Sequence, residues 1–174
     1  MTEYMDLVNN QNEVIGSRVT KEEVYEKKLP HRIVHIFVIN PQTKEIYLQR
    51  RADTVSFLPG FYCTSAGGHV RASESYEEAA VRESGEELGL RSPLSKLTAL
   101  EFVSSGHKRF IELFVSFSLD TIVFRDGEVK SGEFLSFEDA YALVQKNEKI
   151  HPQLGLCFDW VYNHKDEVLA KINL

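Results

Sequence analysis

Three glutamates on one predicted helix are the residues of this sequence best placed to do chemistry. Glu83, Glu86 and Glu87 are spaced i, i+3 and i+4, which puts their carboxylates on one helical face. Mutual repulsion destabilises such a face by roughly 0.2–0.5 kcal/mol per pair. A hard divalent cation with oxygen ligands would remove that repulsion. The simpler interpretation is a solvated acidic face, which is how we interpret Glu77 and Glu78 on the same helix.

The neighbours of the three glutamates favour a functional interpretation. The pair Gly67-Gly68 lies just ahead of the helix, where the backbone can approach a ligand without side-chain obstruction. Glu74 stands at the junction of loop and helix, and Arg82 directly precedes the first glutamate of the set. An ion pair between Arg82 and Glu74 would fix the loop against the helix.

The stretch GHVRASESYEEAAVRESGEELGL, residues 68–90, resembles the Nudix box. The fixed positions of that motif are matched by Gly68, Glu74, Arg82, Glu83, Glu86, Glu87, Gly89 and Leu90. Ser84 departs from it, because the family usually has an aliphatic residue there. The resemblance implies a Mg²⁺-dependent hydrolase, with Mn²⁺ as an alternative cation. It would cut a phosphoanhydride bond of a small-molecule diphosphate, of nucleoside type or another, using an activated water.

The same resemblance implies roles for individual residues. The cation ligands would be the Gly67 carbonyl and the carboxylates of Glu83, Glu86 and Glu87, and structural support would come from Gly68, Glu74 and Arg82. Glu112 is our candidate for the catalytic base, with Glu133 as a second one; a cross-strand ion pair is the alternative role for Glu112. Substrate contacts are expected from Arg50, Arg51 and His69, and His31 is a further histidine that could contact substrate or metal.

Residues 46–70 resemble a branch of the same family that includes type I isopentenyl-diphosphate isomerase. That isomerase uses a cysteine immediately before a Gly-His pair, and this place is taken here by Gly67. Cys63 is four residues earlier, too far to substitute if the strand register holds. We therefore prefer the hydrolase; an isomerase-like enzyme and a non-catalytic Nudix-fold binding module are the alternatives.

The elements that position these residues can be outlined from the sequence. A helix is predicted over 75–88 with its end at Gly89, and a buried strand over 31–39. After a turn at 40–44 the chain is expected to return as a strand over 45–50. A loop is expected over 52–62, other strands near 4–8, 13–18, 95–104 and 109–119, and other helices from Thr20, over 137–146, and after Pro152 to the C-terminus with a break near Asn163. Intermixed strands and helices indicate an α/β fold, the α/β/α sandwich with a mixed sheet that the Nudix fold implies.

Length and charge narrow the remaining possibilities. A chain of 174 residues suits one domain, spanning 1–174. The formal net charge of -6 argues against a nucleic-acid partner. Two cysteines are too few for a disulfide framework, and neither a signal peptide nor an apolar stretch of about 20 residues is visible, so we expect a cytoplasmic protein without a membrane partner. Either a monomer or a homodimer is compatible with the sequence.

Overall fold

A computed structural model describes residues 2–125 and 127–173 of the chain. Residue 174, the last of the predicted C-terminal helical region, and residues 1 and 126 of the predicted domain lie outside the described residues. The strands are β1 (Tyr4–Val8), β2 (Val14–Thr20), β3 (His31–Ile39), β4 (Ile46–Arg51), β5 (Tyr62–Cys63), β6 (Ala66–His69), β7 (Leu94–Ser104), β8 (His107–Phe117) and β9 (Val129–Leu135). The helices are α1 (Lys21–Glu26), α2 (Tyr76–Leu88), α3 (Phe137–Lys146), α4 (Pro152–Asn163) and α5 (Lys165–Ala170), followed by a 3₁₀ turn at Lys171–Asn173.

The main sheet is mixed and is organised around β3. Strand β3 runs parallel to β8 over its whole length, and β8 pairs antiparallel with β7. On its other edge β3 pairs with β4 only at Val38 and Ile39. Strand β6 pairs with the earlier part of that edge, from Ile33 to Ile36. Strands β3 and β4 therefore separate, and β6 lies alongside β3 in the resulting gap.

Helices cover both faces of this sheet. On one face α2 packs against a cluster that includes Val34, Ile36 and Phe114. On the other face α3, α4 and α5 pack against a cluster that includes Phe37, Leu48 and Phe158. The predicted α/β/α sandwich with a mixed sheet is confirmed, and alternation of side chains along β3 supplies both cores.

Two elements differ from the sequence prediction. Strand β9 was not predicted; it pairs with β4, but it contains Gly132 and is largely exposed, so its apolar pattern is weak. The expected loop over 52–62 ends in the two-residue strand β5. In contrast, α1 begins where the helix was predicted to start, and the Thr20 side chain caps it by accepting a hydrogen bond from the Glu23 N–H.

Two further expectations concern cysteines and membranes. Cys63 and Cys157 are both buried and free. None of the helices in the described part of the chain has the length and apolar character required to span a membrane.

Candidate active site

Helix α2 is fixed at both ends by its own sequence. At the start, the Ser75 side chain accepts from the Glu78 N–H while the Glu78 carboxylate accepts from the Ser75 N–H, which is a capping box. At the end, Gly89 adopts a left-handed conformation with φ 69°. The residues facing the sheet are buried, and Glu83 and Glu87 belong to this buried face. Two carboxylates are thereby held against the sheet.

Glu83 lies against the backbone of Gly68. A Cβ placed on Gly68 would lie 2.8 Å from Glu83 Oε2 and closer still to Oε1 and Cδ, so only glycine leaves room for this carboxylate. Burial raises the pKa of Glu83 to about 7, although the neighbouring Arg82 opposes the shift. A buried carboxylate with a raised pKa next to a bare backbone is typical of a functional site.

Glu87 lies at the gap between β3 and β4. One of its oxygens, Oε1, accepts from the Gly67 N–H at 3.2 Å, and the other, Oε2, accepts from Gln49 Nε2 at 2.6 Å. In an antiparallel ladder the N–H and C=O of one residue point to the same side of the strand. The Gly67 carbonyl therefore also points away from β3, toward the side on which Glu87 lies.

Glu86 is the solvent-exposed member of the set. Its side chain is 44% exposed, compared with 11% for Glu83. Its Oε2 accepts from Arg82 Nη1 at 3.2 Å and from Arg71 Nη2 at 3.5 Å. Of the three carboxylates, this is the one that solvent reaches most freely.

Arg82 ties the loop before α2 to the helix. Its Nε and Nη2 donate to the two oxygens of Glu74, at 2.8 and 2.9 Å, which is the predicted ion pair in bidentate form. Nη2 also donates to the His69 carbonyl, and Nη1 donates to Glu83 Oε1 at 2.6 Å. Burial would raise the pKa of Glu74, but hydrogen bonds from Arg82 and from the Arg71 N–H lower it overall.

The donor set suits a hard divalent cation, although the side chains are not gathered around one point. Within the described ranges, no group of three or more His, Cys, Asp or Glu side chains is arranged to hold a metal ion. Arg82 occupies one oxygen each of Glu83 and Glu86, and Gln49 occupies one of Glu87. The oxygen chemistry of the carboxylates and the bare Gly67-Gly68 backbone fit a hard divalent cation.

The role of Glu112 as catalytic base stays a prediction, and the structure shows a different contact for its side chain. Its Oε1 accepts from Lys96 Nζ at 2.6 Å, the cross-strand ion pair given above as the alternative. Glu112 lines a separate depression of about 240 Å³ together with Tyr76 and Asn12. The second candidate base, Glu133, is exposed and is paired with Leu48, which places it on the sheet face opposite to Gln49 and Glu87.

Arg50 and Arg51 hold the loop that follows their strand. Arg50 Nε donates to the Gly60 carbonyl and Arg51 Nε to the Phe57 carbonyl, each at 3.0 Å. Both contacts tie the 52–61 loop to the end of β4. Neither arginine has a carboxylate partner among the ion pairs of the described residues, and contact with substrate stays a prediction.

His69 and His31 lie together in a cluster of rings beside the glycine pair. His69 Nε2 is 2.9 Å from the Tyr25 hydroxyl, and the rings of Tyr25 and His31 pack against the His69 ring. The His107 ring packs against those of Tyr25 and His31. Burial lowers the pKa of both His31 and His69 to about 3, so both are neutral at physiological pH. Contact of His69 with substrate also stays a prediction.

Sequence reasoning missed Gln49. It is 3% exposed and contacts Glu87 directly, although it lies 38 positions away in the chain. The available signal was one polar residue directly after the apolar stretch IYL and directly before two arginines. Nothing local indicates which helix that residue faces.

Comparisons with known proteins agree with this architecture. The family model described as NUDIX domain matches residues 29–154. The Nudix hydrolase YfcD of Escherichia coli is 34% identical over 142 residues, which cover 81% of this chain and 78% of that protein. The crystal structure of DR0079 from Deinococcus radiodurans has a TM-score of 0.78 and 27% identity, covering 92% of this chain and 99% of that one.

The second, looser resemblance is also found. Isopentenyl-diphosphate Delta-isomerase 2 of Photorhabdus laumondii is 36% identical over 99 residues. This match covers 57% of the present chain and 55% of that isomerase. It covers less of both proteins than the match to YfcD does.

Proposed function

This chain belongs to the Nudix hydrolase family, and from that premise we propose that it is a divalent-cation-dependent pyrophosphohydrolase. Its substrate would be a small-molecule diphosphate linked to another moiety, with a nucleoside as the preferred class and Mg²⁺ as the preferred cation. One observation carries the proposal: two buried carboxylates, Glu83 and Glu87, lie against the bare backbone of Gly67-Gly68. A non-catalytic binding module has no need of such crowded, poorly solvated acids.

The residues that would hold the cation are Glu83, Glu86, Glu87 and the Gly67 carbonyl. A bound cation would neutralise phosphate charge and favour ionisation of a water molecule. Glu86 is the carboxylate that an attacking water reaches first, because it is the exposed one of the three. Arg82 and Glu74 keep the loop and the helix in one fixed arrangement, so that reacting groups stay aligned.

The surroundings of Gly67 argue against the isomerase alternative. A Cβ on Gly67 would lie 2.7 Å from the Val34 carbonyl oxygen and 2.8 Å from His35 Nδ1, so a cysteine side chain has no room. Cys63 cannot replace it, because burial raises the pKa of its thiol to about 11. Neither residue offers the acid–base thiol that an isomerase of that type uses.

The test of the proposal is the variant Glu87→Gln, measured on a panel of diphosphate compounds with Mg²⁺. Release of phosphate or pyrophosphate by the unmodified protein should disappear in the variant, while the thermal unfolding temperature stays near the original. Glu77→Gln is the matched control, because Glu77 is an exposed glutamate of the same helix. Undiminished turnover in Glu87→Gln, or loss of turnover in both variants, would contradict the assignment.

Three broader features are part of the same proposal. The whole chain would form one Nudix domain, since β1 and β2 are joined to the body of the fold through contacts such as the Ala72 N–H donating to the Tyr4 carbonyl. The protein would act in the cytoplasm. It would work as a monomer or a homodimer on a small molecule, without nucleic acid or membrane.

A further inference from the structure

The side chain of Gln49 is the polar group nearest to Glu87 on the sheet. Strand β4 places Gln49 opposite Cys63 of β5 and opposite Gly132 of β9, well inside the sheet. The residue is 3% exposed. Its Nε2 donates to Glu87 Oε2 at 2.6 Å, a charge-assisted hydrogen bond with the short separation typical of that class.

The orientation of the Gln49 amide follows from its hydrogen bond with the Glu87 carboxylate. An ionised carboxylate only accepts hydrogen bonds, so the amide nitrogen must face it and the amide oxygen must face away. That oxygen, Oε1, is buried and has no hydrogen-bond partner among the described residues. An unsatisfied buried acceptor destabilises a fold by roughly 1–3 kcal/mol, and such groups are rare.

Four buried side-chain atoms in the described part of the chain lack such a partner, and Gln49 Oε1 is the one attached to a residue that contacts the glutamates of α2. An amide oxygen accepts hydrogen bonds, so Gln49 Oε1 can bind a water molecule of the kind that Mg²⁺ or Mn²⁺ keeps in its coordination shell.

We propose that Gln49 is part of the cation site: its Nε2 orients Glu87, and its Oε1 accepts a hydrogen bond from a water molecule that the cation would carry. This inference rests on the proposed function, because it needs a divalent cation at the glutamates. It adds a residue from the sheet to a site otherwise drawn from α2 and the glycine pair. Gln49 is a positioning residue in this scheme, and it acts on the cation that Glu87 binds.

The test is the affinity for Mn²⁺ without substrate, measured by calorimetry and by the electron paramagnetic resonance signal of the free ion. Gln49→Met keeps the size of the side chain and removes both polar atoms. We expect its Kd for Mn²⁺ to rise about 10–100-fold, the range found when groups that orient metal ligands are removed. The rise in unfolding temperature that Mn²⁺ produces should shrink in parallel.

Gln153→Met is the matched control, because Gln153 is the other buried glutamine, 6% exposed, and it bonds to His35 on the opposite face of the sheet. We expect it to lower the unfolding temperature of the cation-free protein and to change the Kd for Mn²⁺ by less than about twofold. If Gln49→Met does not fold, Gln49→Asn takes its place, since it withdraws the amide by one methylene.

The outcomes separate this inference from the proposed function. If the unmodified protein binds no Mn²⁺, both fail. If it binds Mn²⁺ and the Gln49 variant binds it within twofold of the original, the role of Gln49 is wrong and the proposed function stands. A purely structural Gln49 would lower the unfolding temperature and leave the Kd unchanged, and this outcome would also overturn the inference.

Discussion

Replacement of Gly68 by alanine should remove hydrolysis while leaving the fold nearly intact. The added Cβ would lie 2.8 Å from Glu83 Oε2 and closer to the other carboxyl atoms, whereas ordinary Cβ contacts begin at 3.4 Å. Gly68 does not have a positive φ, so backbone strain adds nothing. The carboxylate ends a flexible side chain and can move aside, breaking its 2.6 Å hydrogen bond with Arg82.

The two effects of Gly68→Ala differ in size. Because Glu83 can move, we expect the free energy of unfolding to fall by about 1 kcal/mol, the lower end of the range for overpacking. A displacement on the order of 1 Å of a group in an active site can lower turnover about 10²-fold. Function should therefore be lost well before stability.

The assay combines three measurements on Gly68→Ala: phosphate release from the best diphosphate of the panel, Mn²⁺ affinity by calorimetry, and unfolding in urea. Gly155→Ala is the control, because a Cβ on this glycine of α4 meets nothing within 4 Å. It should gain about 0.5–1 kcal/mol of stability and keep full activity. A Gly68→Ala protein with unchanged turnover and unchanged Mn²⁺ affinity would refute the placement of Glu83 in the site.

Three other predictions concern α2 and the start of α4. Gly85→Ala should raise the free energy of unfolding by about 0.5–1 kcal/mol, because the new Cβ makes only an ordinary 3.8 Å contact in the helix; a loss of stability in urea unfolding would contradict this. Arg82→Lys should lower the free energy of unfolding by about 2 kcal/mol, because lysine cannot form the bidentate pair with Glu74. Thermal unfolding indistinguishable from that of the original protein would argue against the role of Arg82 in tying the loop to α2. Burial, with nearby positive groups, lowers the pKa of His151 to about 3, so the neutral ring stabilises the fold above pH 6.5 and this contribution is lost as the pH falls toward 3. His151→Asn keeps an acceptor for the Gln153 N–H and does not titrate. Its free energy of unfolding, measured in urea from pH 7 to 4, should therefore fall less steeply with falling pH than that of the unmodified protein. Equal slopes of the two proteins would contradict the prediction.

Helices and strands were predicted correctly where a short stretch of their own sequence carries the pattern that forms them. The capping box at Ser75 and the left-handed Gly89 bound α2 close to the predicted limits, because caps are satisfied within a few residues of sequence. The apolar run over 31–39 became the central strand β3. Strand β9 was missed because its pairing with β4 joins residues 78 to 89 positions apart, and Gly132 interrupts its pattern.

The candidate site also contains residues that local spacing predicts and residues that only long-range strand pairing brings together. Spacing along one helix was enough to put Glu83 and Glu87 on the face that the structure buries, and the short separation of Glu74 from Arg82 allowed their ion pair to be predicted. Neighbouring positions on a helix have fixed directions relative to one another, whatever the rest of the chain does.

Only the tertiary structure decided which residues the side chains of the strands reach. Gln49 reaches Glu87 because β4 separates from β3 and leaves a gap beside β6, and Glu112 is directed to Lys96 because β7 pairs with β8 in one particular register. A shift of one residue in either register would send these side chains to the opposite face. The sequence by itself determined helix α2 and the acids on it, whereas long-range strand pairing determined which residues of the sheet meet them.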